Sequence, residues 1–249
     1  MSVLSGATLI RIWEVGQRLH PVDQALIILA AAFPQMSRDE LAALPIGQRD
    51  AHLLTVHEES FGPQLAGLAE CPQCQEQLEF SFHVADIRLK PEVDVSRRSV
   101  YELITKGYQV RFRLANSLDL ALIARYGNRL PDLAAARSLL LQRCVLEALY
   151  NGQKIAVGEL PPAVITLLTA QMAQYDPQAE IEFSFNCPKC EHEWPVLFDI
   201  VAFLWRKIAI QAKRLLQEVH LLARAYGWRE ADILSMSAVR RQFYLELVT

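Results

Sequence analysis

The sequence predicts an α+β protein that is mainly helical, with one small, split, zinc-ribbon-like antiparallel β unit. Three observations lead there. Apolar residues recur at three- and four-residue spacing over most of the chain, punctuated by Pro and Gly. Two Cys-x-x-Cys pairs each adjoin a stretch in which apolar and polar residues alternate, the period of a half-buried strand. The last fifty residues hold a heptad-like stripe longer than a small ribbon needs.

The opening region, residues 1–69, reads as short helices. Thr8 to Leu19 places Leu9, Ile12, Trp13 and Gly16 on one side. Pro21 then starts a helix with Val22, Leu26, Leu29 and Phe33 on one stripe, and Pro34 stops it. Ser37 with Glu40 three residues later is a capping box, and Gln48 to Ser60 reads as another helix, ending near Gly62 and Pro63. Leu78, Phe80 and Phe82 then alternate with Glu79, Ser81 and His83 as a strand. Ser99–Ile104 and Tyr108–Leu114, joined through Lys106 and Gly107, predict a hairpin. Ser117 caps a helix to Tyr126 that Gly127 and Asn128 end, and Pro131 opens a longer one running to Tyr150. Pro161 and Pro162 start one more, ending before Asp176. Ile181, Phe183 and Phe185 lead as a strand into the second cysteine pair, and Trp194 to Phe198 leaves it.

Last comes the stripe Val201, Leu204, Ile208, Ala212, Leu215, Val219, Leu222 and Tyr226, with Asp199 to cap its start and Gly227 just past its end. Such a stripe normally buries itself in its own chain; the alternative is a seam for a partner subunit. The implied organisation is a helical region over 1–69, a split ribbon from 70–86 and 180–199, an inserted α+β region over 87–179, and a helical end over 200–249.

Composition bounds the function classes. With 249 residues, 52% apolar content and a net charge of -3, the chain can bury a sizeable core and is not disordered. No apolar run approaches the roughly 20 residues of a bilayer span, and no signal-peptide pattern opens the chain, so the expectation is a cytoplasmic, soluble protein. The motifs of phosphate loops, nucleophile elbows and zinc hydrolases are missing, so no catalytic residue is predicted. His52 and His57 sit five apart on one helix, facing away from each other, and Glu58 and Glu59 read as a solvated helix end.

Cys71-Pro72-Gln73-Cys74 and Cys187-Pro188-Lys189-Cys190 carry the chemistry. Two knuckles supply four thiolates, matching the tetrahedral preference of Zn²⁺ and leaving no open position for water or substrate, so a structural ion is expected. More than a hundred residues separate the pairs, which makes residues from about 87 to 179 an insertion; loop-closure entropy grows slowly enough to tolerate it. A redox pair is the weaker reading. His192 could replace a ligand but reads better as a loop histidine, and Cys144 reads as a core residue inside its helix.

Ile46-Gly47-Gln48-Arg49-Asp50, Phe61-Gly62-Pro63 and Cys71-Pro72-Gln73-Cys74 form a pattern with the tail end: Asp199 to Trp205, Glu218 to Ala223, Tyr226-Gly227-Trp228, Ile233-Leu234-Ser235, Arg240, Arg241 and Tyr244. The whole resembles the T4-family baseplate proteins, described as baseplate hub assembly chaperones of phages and contractile injection systems. The resemblance implies a non-enzymatic baseplate component or assembly factor whose partners are other baseplate or hub proteins. On that view the first 69 residues or the C-terminal helix form the partner surface. The alternative is a zinc-ribbon nucleic-acid adaptor using Arg206, Lys207, Lys213, Arg214 and Arg224. Net charge and the acidic residues Glu70, Glu76, Glu79, Glu191 and Glu193 beside the knuckles oppose it. Oligomeric state, and whether the cysteine pairs meet within one chain, stay open at this point.

Overall fold

Residues 3–89, 99–127 and 131–248 are described by the structure, a computed structural model. A helical body is built from α1 (Gly6–Gly16), α2 (Pro21–Ala32), α3 (Arg38–Ala43), α4 (Ile46–Phe61) and the 27-residue α9 (Ile200–Tyr226). Local chemistry sets the ends. Ser5 caps α1, Pro21 opens α2, and Ser37 and Glu40 form a reciprocal capping box on α3. Asp199 accepts the Ala202 N–H at the start of α9, and Gly227 closes it in the left-handed region at φ 68°.

The stripe on α9 is the spine of this body. Leu204, Ile208, Ala212, Leu215 and Leu222 are all buried, against Leu9, Ile12, Leu29, Leu53 and Leu54 near its start and Ile233 and Leu245 near its end. Its own chain fills the seam, so the stripe is not a partner surface; Tyr226 alone of the predicted set stands exposed. α1 packs closely on α9 because Gly16 leaves room for Trp205: a Cβ there would lie 2.4 Å from the indole. α10 (Glu230–Ser235) and α11 (Ala238–Glu246) fold back on the end of α9, where Arg241 pairs with Glu218 at 3.0 Å and donates to the Met236 carbonyl.

A second core lies in the middle of the chain. β3 (Tyr101–Thr105), β4 (Tyr108–Phe112), β5 (Val145–Tyr150) and β6 (Gln153–Lys154) form an antiparallel sheet in that order. Lys106-Gly107 and Asn151-Gly152 both take positive φ, the requirement of two-residue hairpin turns matched to strand twist. α8 (Pro162–Tyr175) lays Val164 and Leu168 against Val110, Phe112 and Ala148. α6 (Ser117–Tyr126) and α7 (Leu133–Cys144) complete the unit. The Asp119 side chain, fully buried, takes a two-pronged hydrogen bond from Arg113 at 2.6 and 2.8 Å and another from Arg143 at 2.8 Å. This triad ties the end of β4, the start of α6 and the end of α7 together.

Three expectations need correction. The helix predicted from Pro131 to Tyr150 stops at Cys144, and Val145 onward is a strand recruited by pairing with β4. Asn116, not Ser117, caps α6, accepting from Leu118 and Asp119 N–H, while Ser117 is buried. The region 1–69 is not all helix, since β1 (Gln64–Glu70) falls inside it. Asn128, expected to end α6, lies outside the described residues.

The Ile46–Asp50 motif is where the helical body meets the middle unit. Ile46 N–H donates to the Ala115 carbonyl, and Pro45 pairs with Asn116. α4 has no capping side chain of its own; the Asp176 carboxylate reaches across to accept the Gly47 N–H at 3.0 Å. Only glycine fits there, since a Cβ would sit 2.9 Å from the Ala179 backbone nitrogen. Gln178, also buried, accepts from the Leu89 N–H and donates to the Ile87 carbonyl.

Candidate metal centre

Two hairpins carry the cysteines. β1 pairs with β2 (Gln77–His83), and β7 (Glu182–Asn186) pairs with β8 (Glu193–Leu197), each antiparallel, with a Cys-x-x-Cys knuckle as the connection. The single antiparallel ribbon expected from the sequence is instead two separate two-stranded ladders. The knuckles are copies of one turn. Gln75 donates its N–H to Cys71 C=O and Glu191 its own to Cys187 C=O, both at 2.9 Å. Cys71 and Cys187 in turn donate to the carbonyls of Glu76 and His192. Gln75 and Glu191 adopt φ of 60° and 58°, a region that usually calls for glycine. After each knuckle a strand leads to a capped helix at the same spacing: α5 (Val84–Ile87) behind the first, α9 behind the second.

Paired this way, the hairpins bring all four sulfurs into one cluster within a single chain. Their Sγ atoms lie within 4.8 Å of one another, with Cys71 3.6 Å from Cys190 and Cys74 3.5 Å from Cys187. Four thiolates at the usual Zn–S length of about 2.3 Å span tetrahedral edges of about 3.8 Å, so the cluster has the size of such a site. Both of these contacts run between the knuckles, and none of the four cysteines is in a disulfide. Cys71 and Cys187 are buried; Cys74 and Cys190 face partly outward.

Burial, backbone N–H groups and neighbouring thiols all act on the titration of these cysteines. Burial raises the Cys187 thiol, but N–H groups of Lys189 and Cys190 and the neighbouring thiols outweigh it and bring the pKa to about 7. For Cys190 the His192 N–H works downward, yet burial and the surrounding thiols push the value up to about 12. The two thiols of this knuckle are thus driven in opposite directions, as closely coupled groups are. Across the two knuckles Lys189 Nζ meets Glu76 at 2.8 Å, an exposed pair of small energetic weight.

Beneath the sulfurs the hairpins face each other through aromatic rings. Phe82 stacks on Phe183 at 4.4 Å, Phe80 lies 5.6 Å from Phe185, and Phe185 stacks on Trp194. The ladder continues through Phe198 to Phe203 on α9 and so into the helical core. Gly67 is needed under it, because a Cβ there would meet the Phe80 ring at 2.7 Å. The sequence marked these phenylalanines as strand positions; that they join the two hairpins shows only in the fold.

The remaining candidates fall outside the cluster. His192 stacks on Trp194 and is not among the grouped ligands. Cys144 is buried at the end of α7, and desolvation lifts its thiol to about 11, so it stays protonated. His57 is buried rather than solvated, packed against Phe61 and Phe203, and burial lowers its pKa to about 4. Among the described residues no helix is long and apolar enough to cross a membrane.

No curated protein and no solved structure matches the chain. A family model described as T4 bacteriophage base plate protein matches residues 23–205, a stretch that takes in the Ile46–Asp50 junction, both knuckles and the start of α9. Spanning well over half of its length, that match means the chain belongs to the T4 bacteriophage base plate protein family.

Proposed function

We propose that this protein is a non-enzymatic baseplate component or hub assembly factor of a phage-like contractile tail, built around one structural Zn²⁺ on Cys71, Cys74, Cys187 and Cys190. The observation that carries the reading is the four-sulfur cluster, of tetrahedral size, inside a chain of the baseplate family. Four sulfur ligands complete the ion's coordination, so its contribution is folding free energy rather than chemistry on a substrate. It would tie residues 70–86 to 180–199 and thereby close the inserted region 87–179 at its base. Partners are then other baseplate or hub proteins. The nucleic-acid alternative keeps one favourable feature, the exposed Arg206, Lys213 and Arg224 on α9, but the acidic knuckle surface repels phosphate.

Deleting the gene in a strain that makes the tail tests the role. The expected result is loss of assembled baseplates by electron microscopy, restored by the wild-type chain and poorly by a Cys187→Ser chain. Normal tails without the protein would overturn it.

A further inference from the structure

Between the paired hairpins and the first turns of α9 runs a groove of about 310 Å³. Phe80, Phe185, Trp194 and Phe203 line it, and Leu68 and Leu197 stand on it at 61% exposure each. Two leucines that open to solvent beside half-buried aromatic rings make a contiguous apolar surface, the kind that marks an interaction site. Its charged lining is Glu70 and Asp199 against a single cation, Arg206. The same hairpins carry exposed Glu79, Glu182, Glu191 and Glu193, while Lys189, the cation at the knuckles, is already paired with Glu76. Four thiolates on a dication would add two more negative charges.

We infer that this groove docks an extended segment of a partner protein that presents apolar side chains flanked by Lys or Arg. Apolar burial supplies the affinity, and the acidic surround selects the sign and speeds encounter. A nucleic acid or an anionic membrane carries the wrong charge for it. The inference rests on the metal reading only in part: the hairpins share no backbone ladder, and tied knuckles would add to the Phe82–Phe183 and Phe80–Phe185 pairs in holding the walls at this spacing.

The test uses the full chain and a fluorescein-labelled peptide of alternating leucine and lysine, followed by anisotropy. Two control peptides replace lysine by glutamate or leucine by serine. The alternating peptide binds, each control binds at least about tenfold more weakly, and Leu68→Ser with Leu197→Ser lowers affinity by about tenfold or more. Binding weakens from roughly 50 to 300 mM salt as surface charge is screened. Both leucines are exposed, so the double variant keeps its fold, checked by circular dichroism. Equal binding of the glutamate peptide, or no effect of the double variant, overturns the inference. Concentration-dependent self-association that the double variant abolishes would assign the groove to a second copy instead and equally overturn it. Zinc is measured in the same samples. Zinc-loaded protein that ignores the peptide rejects docking alone, whereas metal-free protein that still binds it supports docking and rejects the metal reading.

Discussion

Replacing Cys187 by serine should unravel the two knuckles while leaving the helical body intact. What joins the hairpin tips besides sulfur is one exposed ion pair, Lys189–Glu76, which solvent screens so that it adds little. Lower down, aromatic pairs such as Phe82–Phe183 contribute about 0.5–1.5 kcal/mol each beyond their burial, and they sit against the core. An isolated two-stranded hairpin is marginal in water, so without the metal the tips open at almost no cost. A structural zinc typically supplies about 10–16 kcal/mol of apparent binding free energy, far more than any other contact there. Hydrogen exchange reads the difference directly. The amides of Cys71, Gln75, Cys187 and Glu191, all bonded within the knuckles, should lose protection by about 100-fold or more in the variant or after chelation. Amides along α9 from Ile208 to Leu222 should keep theirs. Knuckle amides equally protected with and without the fourth ligand would refute this reasoning.

Other contacts give sharp expectations of their own. Asp119→Ala strands Arg113 and Arg143; breaking a buried pair costs about 3–5 kcal/mol, and because both arginines reach solvent the lower end is expected, seen as a melting point about 6–12 °C lower. A drop under 2 °C would contradict it. Burial raises the Asp176 carboxyl from 3.8 to about 6, the nearby Asp50 adding to it and the Gly47 N–H opposing it. The folded state thus holds this proton more tightly than the unfolded chain, so its contribution to stability falls as pH rises from about 4 to 6. Asp176→Asn keeps an acceptor for Gly47 and should flatten that part of the pH profile in denaturant titrations; an unchanged slope would argue against it. Leu215→Ala, at 1% exposure, should cost about 2–5 kcal/mol in the isolated protein; little loss would return the α9 seam to the role of partner surface.

Much of this architecture is written locally. The Ser37–Glu40 box, the Pro21 start, the Asp199 and Gly227 ends and the α9 stripe are short-range signals, and each appears in the fold where the pattern puts it. The cysteine spacing likewise announces a cluster. The features that the local pattern does not show depend on distant partners. β1 reads poorly as a strand because Leu65, Gly67 and Ala69 on its inner face are mostly small, and they are small because Phe80 lies over Gly67. No Gly or Pro marks the switch from α7 to β5 at Cys144–Val145; pairing with β4 imposes it. Asp119 and Asp176 look like ordinary loop or helix-start acids in sequence, and only the fold brings Arg143 to one and Gly47 to the other. The same holds for the groove, whose leucines come from strands more than a hundred residues apart.

Whether the four sulfurs hold zinc is decided by elemental analysis of the purified, size-defined protein, prepared without added metal, beside Cys71→Ser, Cys74→Ser, Cys187→Ser and Cys190→Ser. About one zinc per chain is expected in the wild type and a clear loss in each of the four variants, since every knuckle sulfur belongs to one cluster. Wild-type protein free of zinc, with four reduced thiols that react readily, would contradict it.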